Sequence, residues 1–144
     1  MGTFDVFDHT ADIGLRVRGR DLPDLLETAA RATFAQMFDD GPRGVEVVDD
    51  VRAVPEGDLA GEATELLVVW LQELLYRFET ARLVPLEFHF EACTPREVRA
   101  QVGFGRFDPG RHTARLEVKA VTYHELDVRE DPGGTWSARF ILDV

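Results

Sequence analysis

The sequence predicts an α+β fold: a single domain in which a mostly antiparallel or mixed β-sheet is covered by two α-helices. Three observations carry that expectation. Two segments space their apolar residues at helical intervals, most of the rest alternates or runs in β-branched and aromatic residues, and the second half strings strands together with no helix between them. A length of 144 residues fits one domain, 1–144, large enough to bury a core without disulfide or metal staples.

The elements follow in chain order. Residues 4–7 and 13–18 read as strands on either side of a short connection. A first helix is expected over 21–38, with Asp21 as N-cap and Pro23 in the first turn, where a missing N–H costs little. Its positions Leu22, Leu25, Leu26, Ala29, Ala32 and Met37 approximate one face. A weaker strand signal covers 45–54. The second helix, 62–80, carries a core stripe of Leu67, Leu71, Leu74, Leu75 and Phe78. Leu66, Val68, Val69 and Trp70 widen that stripe, so burial on more than one side is expected. Further strands are expected over 83–92, 98–104 and 113–121, and 123–128 with 136–142 should close a hairpin across Asp131-Pro132-Gly133-Gly134.

Composition narrows the function. Sixteen basic against 27 acidic residues give a net charge of -11, which repels nucleic-acid backbones and anionic lipids. Direct nucleic-acid or membrane binding is therefore not expected, and metal cations or protein partners suit the field better. The basic residues are fifteen Arg and one Lys, Lys119. Either lysines are depleted throughout, or a compact ammonium is required at that position. A single cysteine, Cys93, allows no internal disulfide and fits a reducing compartment. No signal-peptide pattern or apolar run of about 20 residues appears, so a cytoplasmic location is expected.

Candidate chemistry begins with His9-Thr10-Ala11-Asp12-Ile13-Gly14, in the connection between the first two strands. A plain turn would need only Asn, Asp or Gly. At the other end, Asp143 follows the apolar Phe140-Ile141-Leu142, and Val144 offers an α-carboxylate where it is the terminus. If first and last strands meet, Asp12, Asp143 and Val144 assemble three oxygen groups suited to a hard cation, Ca²⁺ or Mg²⁺. The alternative is an Asx-turn at Asp12 and a solvated end at Asp143. His9 orders its loop, acts as a base or ligates a metal, while one histidine beside one acid does not make a zinc site. Glu117-Val118-Lys119-Ala120-Val121-Thr122-Tyr123-His124 is either an exposed strand ending in a polar corner or, through Lys119 and His124, a source of acid–base chemistry. Phosphate-binding and dinucleotide loops, nucleophile elbows, Cys-x-x-Cys and H-E-x-x-H are all missing, so no complete catalytic constellation is present. A small metal-dependent hydrolase using Asp12, Asp143 and His124 stays open as a minor alternative.

Taken together, the HTADIG block, the helix block Thr64–Tyr76, the EVKAVTYH block and the closing Leu142-Asp143-Val144 resemble the archease family in order and over essentially the whole chain. The resemblance implies an archease-like α+β domain that is not itself an enzyme. It implies an accessory protein of the RtcB-type RNA-splicing ligase that speeds guanylylation of a histidine on the ligase and sustains multiple turnover in tRNA splicing. Some relatives are described as chaperones or specificity modulators of a tRNA methyltransferase. It also implies a divalent cation, calcium favoured and magnesium allowed, held by Asp12, Asp143 and the Val144 carboxylate. His9, Arg111, Lys119 and His124 are then expected to order loops or touch the partner. Where family members often carry Lys-His, this sequence has Arg111-His112. The charge is kept, so function is expected to survive.

Overall fold

Asp21 starts the first helix as the sequence predicts: its carboxylate accepts from the Asp24 N–H at 2.9 Å and Pro23 lies in the first turn. The structure, a computed structural model, describes residues 2–9, 12–59 and 61–144. Helix α1 is Leu22–Ala35 and α2 is Ala63–Ala81, with a 3-10 turn at Gly57–Leu59 before α2. The strands are β1 Thr3–His9, β2 Asp12–Gly19, β3 Phe38–Asp40, β4 Val47–Ala53, β5 Leu83–Thr94, β6 Glu97–Arg106, β7 Thr113–Ala114, β8 Ala120–Glu130 and β9 Trp136–Asp143. They form sheets ordered β1-β2-β9-β8, β4-β6-β5 and β3-β7, and every ladder among the described residues is antiparallel.

The two helices lie against both larger sheets and the core fills the space between. The helical stripes read from the sequence are buried: Leu25, Ala29 and Ala32 on α1, and Leu67, Leu71 and Leu74 on α2, are at 0% exposure. Leu66 and Trp70 are also fully buried, so α2 is covered on more than one side. Trp70 donates its indole N–H to the Leu26 carbonyl at 3.0 Å, which satisfies its polar atom and ties α2 to α1. Arg82 ends α2 in the left-handed conformation at φ 57°, with its N–H on the Phe78 carbonyl at 2.8 Å.

Two expectations are corrected. Helix α1 stops before Met37 and Phe38, because the Gln36 and Met37 N–H groups tighten onto the Thr33 and Phe34 carbonyls. Phe38 then opens β3, where it stacks on Phe107 and meets Phe78 edge-on. Residues 113–121 are not one strand. Both the Arg115 and Leu116 N–H groups turn to the Met37 carbonyl, and the Arg115 guanidinium donates to the Ala35 and Gln36 carbonyls at the end of α1. The chain rejoins a sheet at Ala120, with Val118 and Val121 both buried.

Candidate functional site

Strand β9 lies between β2 and β8, and this brings the start of β2 alongside the last residues of the chain. The β2–β9 ladder pairs Gly14 with Ile141 and Ile13 with Leu142. One step beyond its last pair stand Asp12 and Asp143. Cross-strand neighbours share a face, with Cβ atoms roughly 4.5–5.5 Å apart. On its other side Asp143 pairs with Ala120, and its carbonyl accepts the Lys119 N–H at 2.8 Å. The chain end is held: Val144 is half-buried and packs against the core. Asp12 and Asp143 are also half-buried.

Two adjacent carboxylates repel unless a cation or proton donor intervenes. Among the described residues the Asp143 side chain has no hydrogen-bond or ion-pair partner. Also among them, no group of three or more His, Cys, Asp and Glu side chains is arranged to hold a metal. The set available here is different: two aspartates and, where Val144 is the terminus, its main-chain carboxylate, all hard oxygen donors. That chemistry fits Ca²⁺ or Mg²⁺ and does not fit a soft metal. The His9 backbone pairs with Asp12 in the β1–β2 ladder, but the expected roles of the His9 side chain and of Thr10 lie outside the described residues.

Strand β8 departs from its ladder just past this end. Between the pairs Thr122–Ile141 and Asp127–Arg139, the chain advances five residues along β8 against two along β9. The excess forms a large bulge containing Tyr123, His124 and Glu125. Glu125 takes the left-handed conformation at φ 54°, unusual for a residue with a Cβ. Its carboxylate accepts from Arg139 at 2.8 Å and lies 3.3 Å from His124 Nε2. Tyr123 donates its hydroxyl to Glu65 on the first turn of α2 at 3.1 Å, and desolvation together with that carboxylate raises the phenol above its ordinary value.

Behind the tip, the Phe7 ring lies where a side chain on Gly14 would be: a Cβ there would sit 2.2 Å from the ring. The Arg16 and Arg139 guanidinium carbons stand 4.2 and 4.5 Å from the centre of that ring. Arg139 therefore links the bulge to β1. Its Nε, and the nearby Thr122 Oγ1, are buried without a hydrogen-bond partner among the described residues. Sequence reasoning missed this linkage. Alternation puts Arg16 and Arg139 on one face of their own strands, but only the register makes them neighbours.

The other expected residues divide between near and far. Lys119 and His124 belong to the segment joined to Asp143. Arg111 belongs to the loop after β6, where its N–H and that of His112 bond to the Asp108 carbonyl, and His112 Nδ1 accepts the Asp108 N–H at 2.9 Å. Cys93 is half-buried, and desolvation, then Asp21, pushes its thiol up to about 12, so it is no nucleophile. His89 faces outward on β5. No helix of the described residues is long and apolar enough to cross a membrane.

The model of the Archease protein family matches residues 4–144. A protein archease of Methanopyrus kandleri is 36% identical over 98% of this chain and 99% of its own. One from Sulfolobus acidocaldarius is 31% identical over 100% of both. The solution structure of Methanobacterium thermoautotrophicum protein 1598 superposes with a TM-score of 0.73 at 29% identity, covering 98% of each chain.

Proposed function

The chain belongs to the archease family, and on that premise we propose that it is an accessory protein, not an enzyme, that activates an RtcB-type RNA-splicing ligase in the cytoplasm. It promotes ligase guanylylation and multiple turnover in tRNA splicing or RNA repair. The working part is an acidic tip of Asp12, Asp143 and the Val144 carboxylate, carrying a divalent cation, Ca²⁺ before Mg²⁺. The observation that supports this most is the β2–β9 register, which leaves Asp12 and Asp143 side by side at the end of the ladder. A bound cation would supply the positive charge that lets these carboxylates coexist. The residues themselves do the rest: β9 holds Asp143 in line, Lys119 fixes its carbonyl, and Val144 anchors the end in the core. A net charge of -11 suits a protein that acts on a protein and leaves RNA to its partner.

The test mixes the cognate ligase, GTP and Mn²⁺ with sub-stoichiometric amounts of this protein. Faster accumulation of ligase–GMP, lost with Asp12→Ala or Asp143→Ala, is expected. Unchanged stimulation in both variants rejects the tip. Absence of stimulation by the wild type moves the reading to the second role implied by the family resemblance, a chaperone or modulator of a tRNA methyltransferase.

A further inference from the structure

The turn that follows β6 is closed around Asp108. Its carbonyl accepts the Arg111 N–H at 2.9 Å and the His112 N–H at 2.7 Å, and its Oδ1 accepts the Gly110 N–H at 2.9 Å. Its own N–H donates to His112 Nδ1 at 2.9 Å. That last bond fixes the state of the imidazole. A backbone N–H can only donate, so Nδ1 must offer a lone pair, and the proton of the neutral ring is then on Nε2. An imidazolium carries protons on both nitrogens and would set its Nδ1–H against the Asp108 N–H. Closure of the turn and protonation of His112 therefore exclude each other. Both sides of the turn are tied down: the Phe107 N–H bonds to the Arg82 carbonyl at the end of α2 at 2.9 Å, and Thr113 pairs with Asp40 in the β3–β7 ladder. The residues between are exposed, apart from the half-buried His112, whose ring centre lies 5.7 Å from that of Phe107.

We propose that His112 is a pH-operated latch: the neutral ring closes the turn between Asp108 and His112, and the imidazolium opens it. Histidine is the side chain whose ordinary titration falls in the physiological range, so the latch works where carboxylates and guanidinium groups keep their charge. Opening stays local, because the two tied sides hold the flanking strands. What it releases is Arg111, which sits between the latched residues, exposed and without an ion-pair partner among the described residues. A guanidinium is charged at any working pH and cannot be a pH switch by itself. The latch gives it one, since the Arg111 backbone is held when the ring is neutral and let go when the ring is charged. The charged groups of the surrounding elements are Asp108 and Arg111 in the turn, Arg106 at the end of β6, Glu79 and Arg82 at the end of α2, and Asp39 and Asp40 on β3. None of them forms an ion pair with His112 among the described residues, so the bond from the Asp108 N–H is the polar contact that protonation must break.

NMR of the full-length chain tests this at about pH 8 and about pH 5.5, on either side of the ordinary histidine value of about 6.5. The readouts are the His112 tautomer, from its ring nitrogen resonances, and the hydrogen-exchange protection of the Asp108 amide, corrected for the pH dependence of free-amide exchange. At the higher pH the ring should carry its proton on Nε2 and the amide should be protected. At the lower pH that protection should fall about ten-fold or more, while the β6 amides keep theirs. His112→Asn places an amide oxygen where Nδ1 stands and does not titrate, so it should protect the Asp108 amide at both pH values. His112→Ala should protect it at neither, with circular dichroism confirming that both variants are folded. A ring protonated on Nδ1 at the higher pH overturns the latch. So does wild-type protection that is the same at both pH values. A pH-dependent loss in His112→Asn as large as in the wild type also overturns it, because another group would then be the sensor.

Discussion

The sheets β4-β6-β5 and β1-β2-β9-β8 cover the same two helices, yet they spend their irregularities differently. In the three-stranded sheet, central β6 sends Val98, Ala100, Val102 and Phe104 into the core at 1% exposure or less. Its departures are two single-residue shifts on β5, and its outer face carries ordinary pairs such as Arg52–Glu97 at 2.8 Å. The four-stranded sheet buries Leu15, Phe140 and Leu142 equally well. It also carries the large β8 bulge, a left-handed Glu125, buried Thr122 Oγ1 and Arg139 Nε atoms without a partner among the described residues, and adjacent aspartates at the end of a ladder. Such features oppose stability and persist where the surrounding packing overrides them. The regular sheet supplies packing, and the irregular one uses it to hold the strained end where the proposed acidic tip lies.

The sharpest way to break this comparison is to damage the regular sheet alone. Phe104→Ala should cost about 3–5 kcal/mol of stability, read by urea unfolding, while the protein that remains folded still stimulates the ligase. Loss of stimulation at full folding would erase the division of labour. Next in size is the metal. Ca²⁺ at about 100 times its dissociation constant should stabilise the wild type by about 2.7 kcal/mol in thermal unfolding, and Asp143→Ala should abolish the gain. An equal gain in the variant would put the cation elsewhere. Smaller is Gly14→Ala, whose Cβ would sit 2.2 Å from the Phe7 ring. Displacing that ring should cost about 1–3 kcal/mol as overpacking does, and should loosen the Arg16 and Arg139 stacking. Melting at the wild-type temperature would mean that Phe7 moves freely and the β1 link is ornamental.

The ranking explains what could be read from the sequence. Both helices announced themselves, through Asp21 with Pro23 and through the leucine stripe of α2, because a helix is specified by near neighbours. The long alternating strands were equally plain. The stretch 113–121 misled because its apolar spacing imitates a strand, while the bonds that divert it run from Arg115 to carbonyls some eighty residues earlier. The acidic tip was readable only as a possibility: residues Asp12 and Asp143 were visible, but their adjacency depends on which strand β9 enters. The bulge, with its left-handed Glu125, had no local signal at all, since no glycine or Asn-Gly marks it. Long-range register is the information that neither composition nor periodicity contains.

The smallest effect is a matter of pH, and it tests whether the regular sheet's surface charges matter. The Arg52 hydrogen bond to Glu97, aided by the nearby charges of Arg52 and Arg99, holds that carboxyl below its usual value. A folded pKa lower than the unfolded one adds stability above the unfolded value of about 4.3. That contribution disappears as pH falls through the lower folded value. The pair is solvent-exposed, so the energy is small and is screened by salt. Arg52→Met should return the Glu97 carboxyl toward its ordinary titration in an NMR pH series, while melting at neutral pH barely changes. Ligase stimulation should be untouched as well. A clear loss of stability at pH 7 in that variant would show that the three-stranded sheet depends on its outer charges as well as its packed face, and the contrast between the sheets would have to be redrawn around charge.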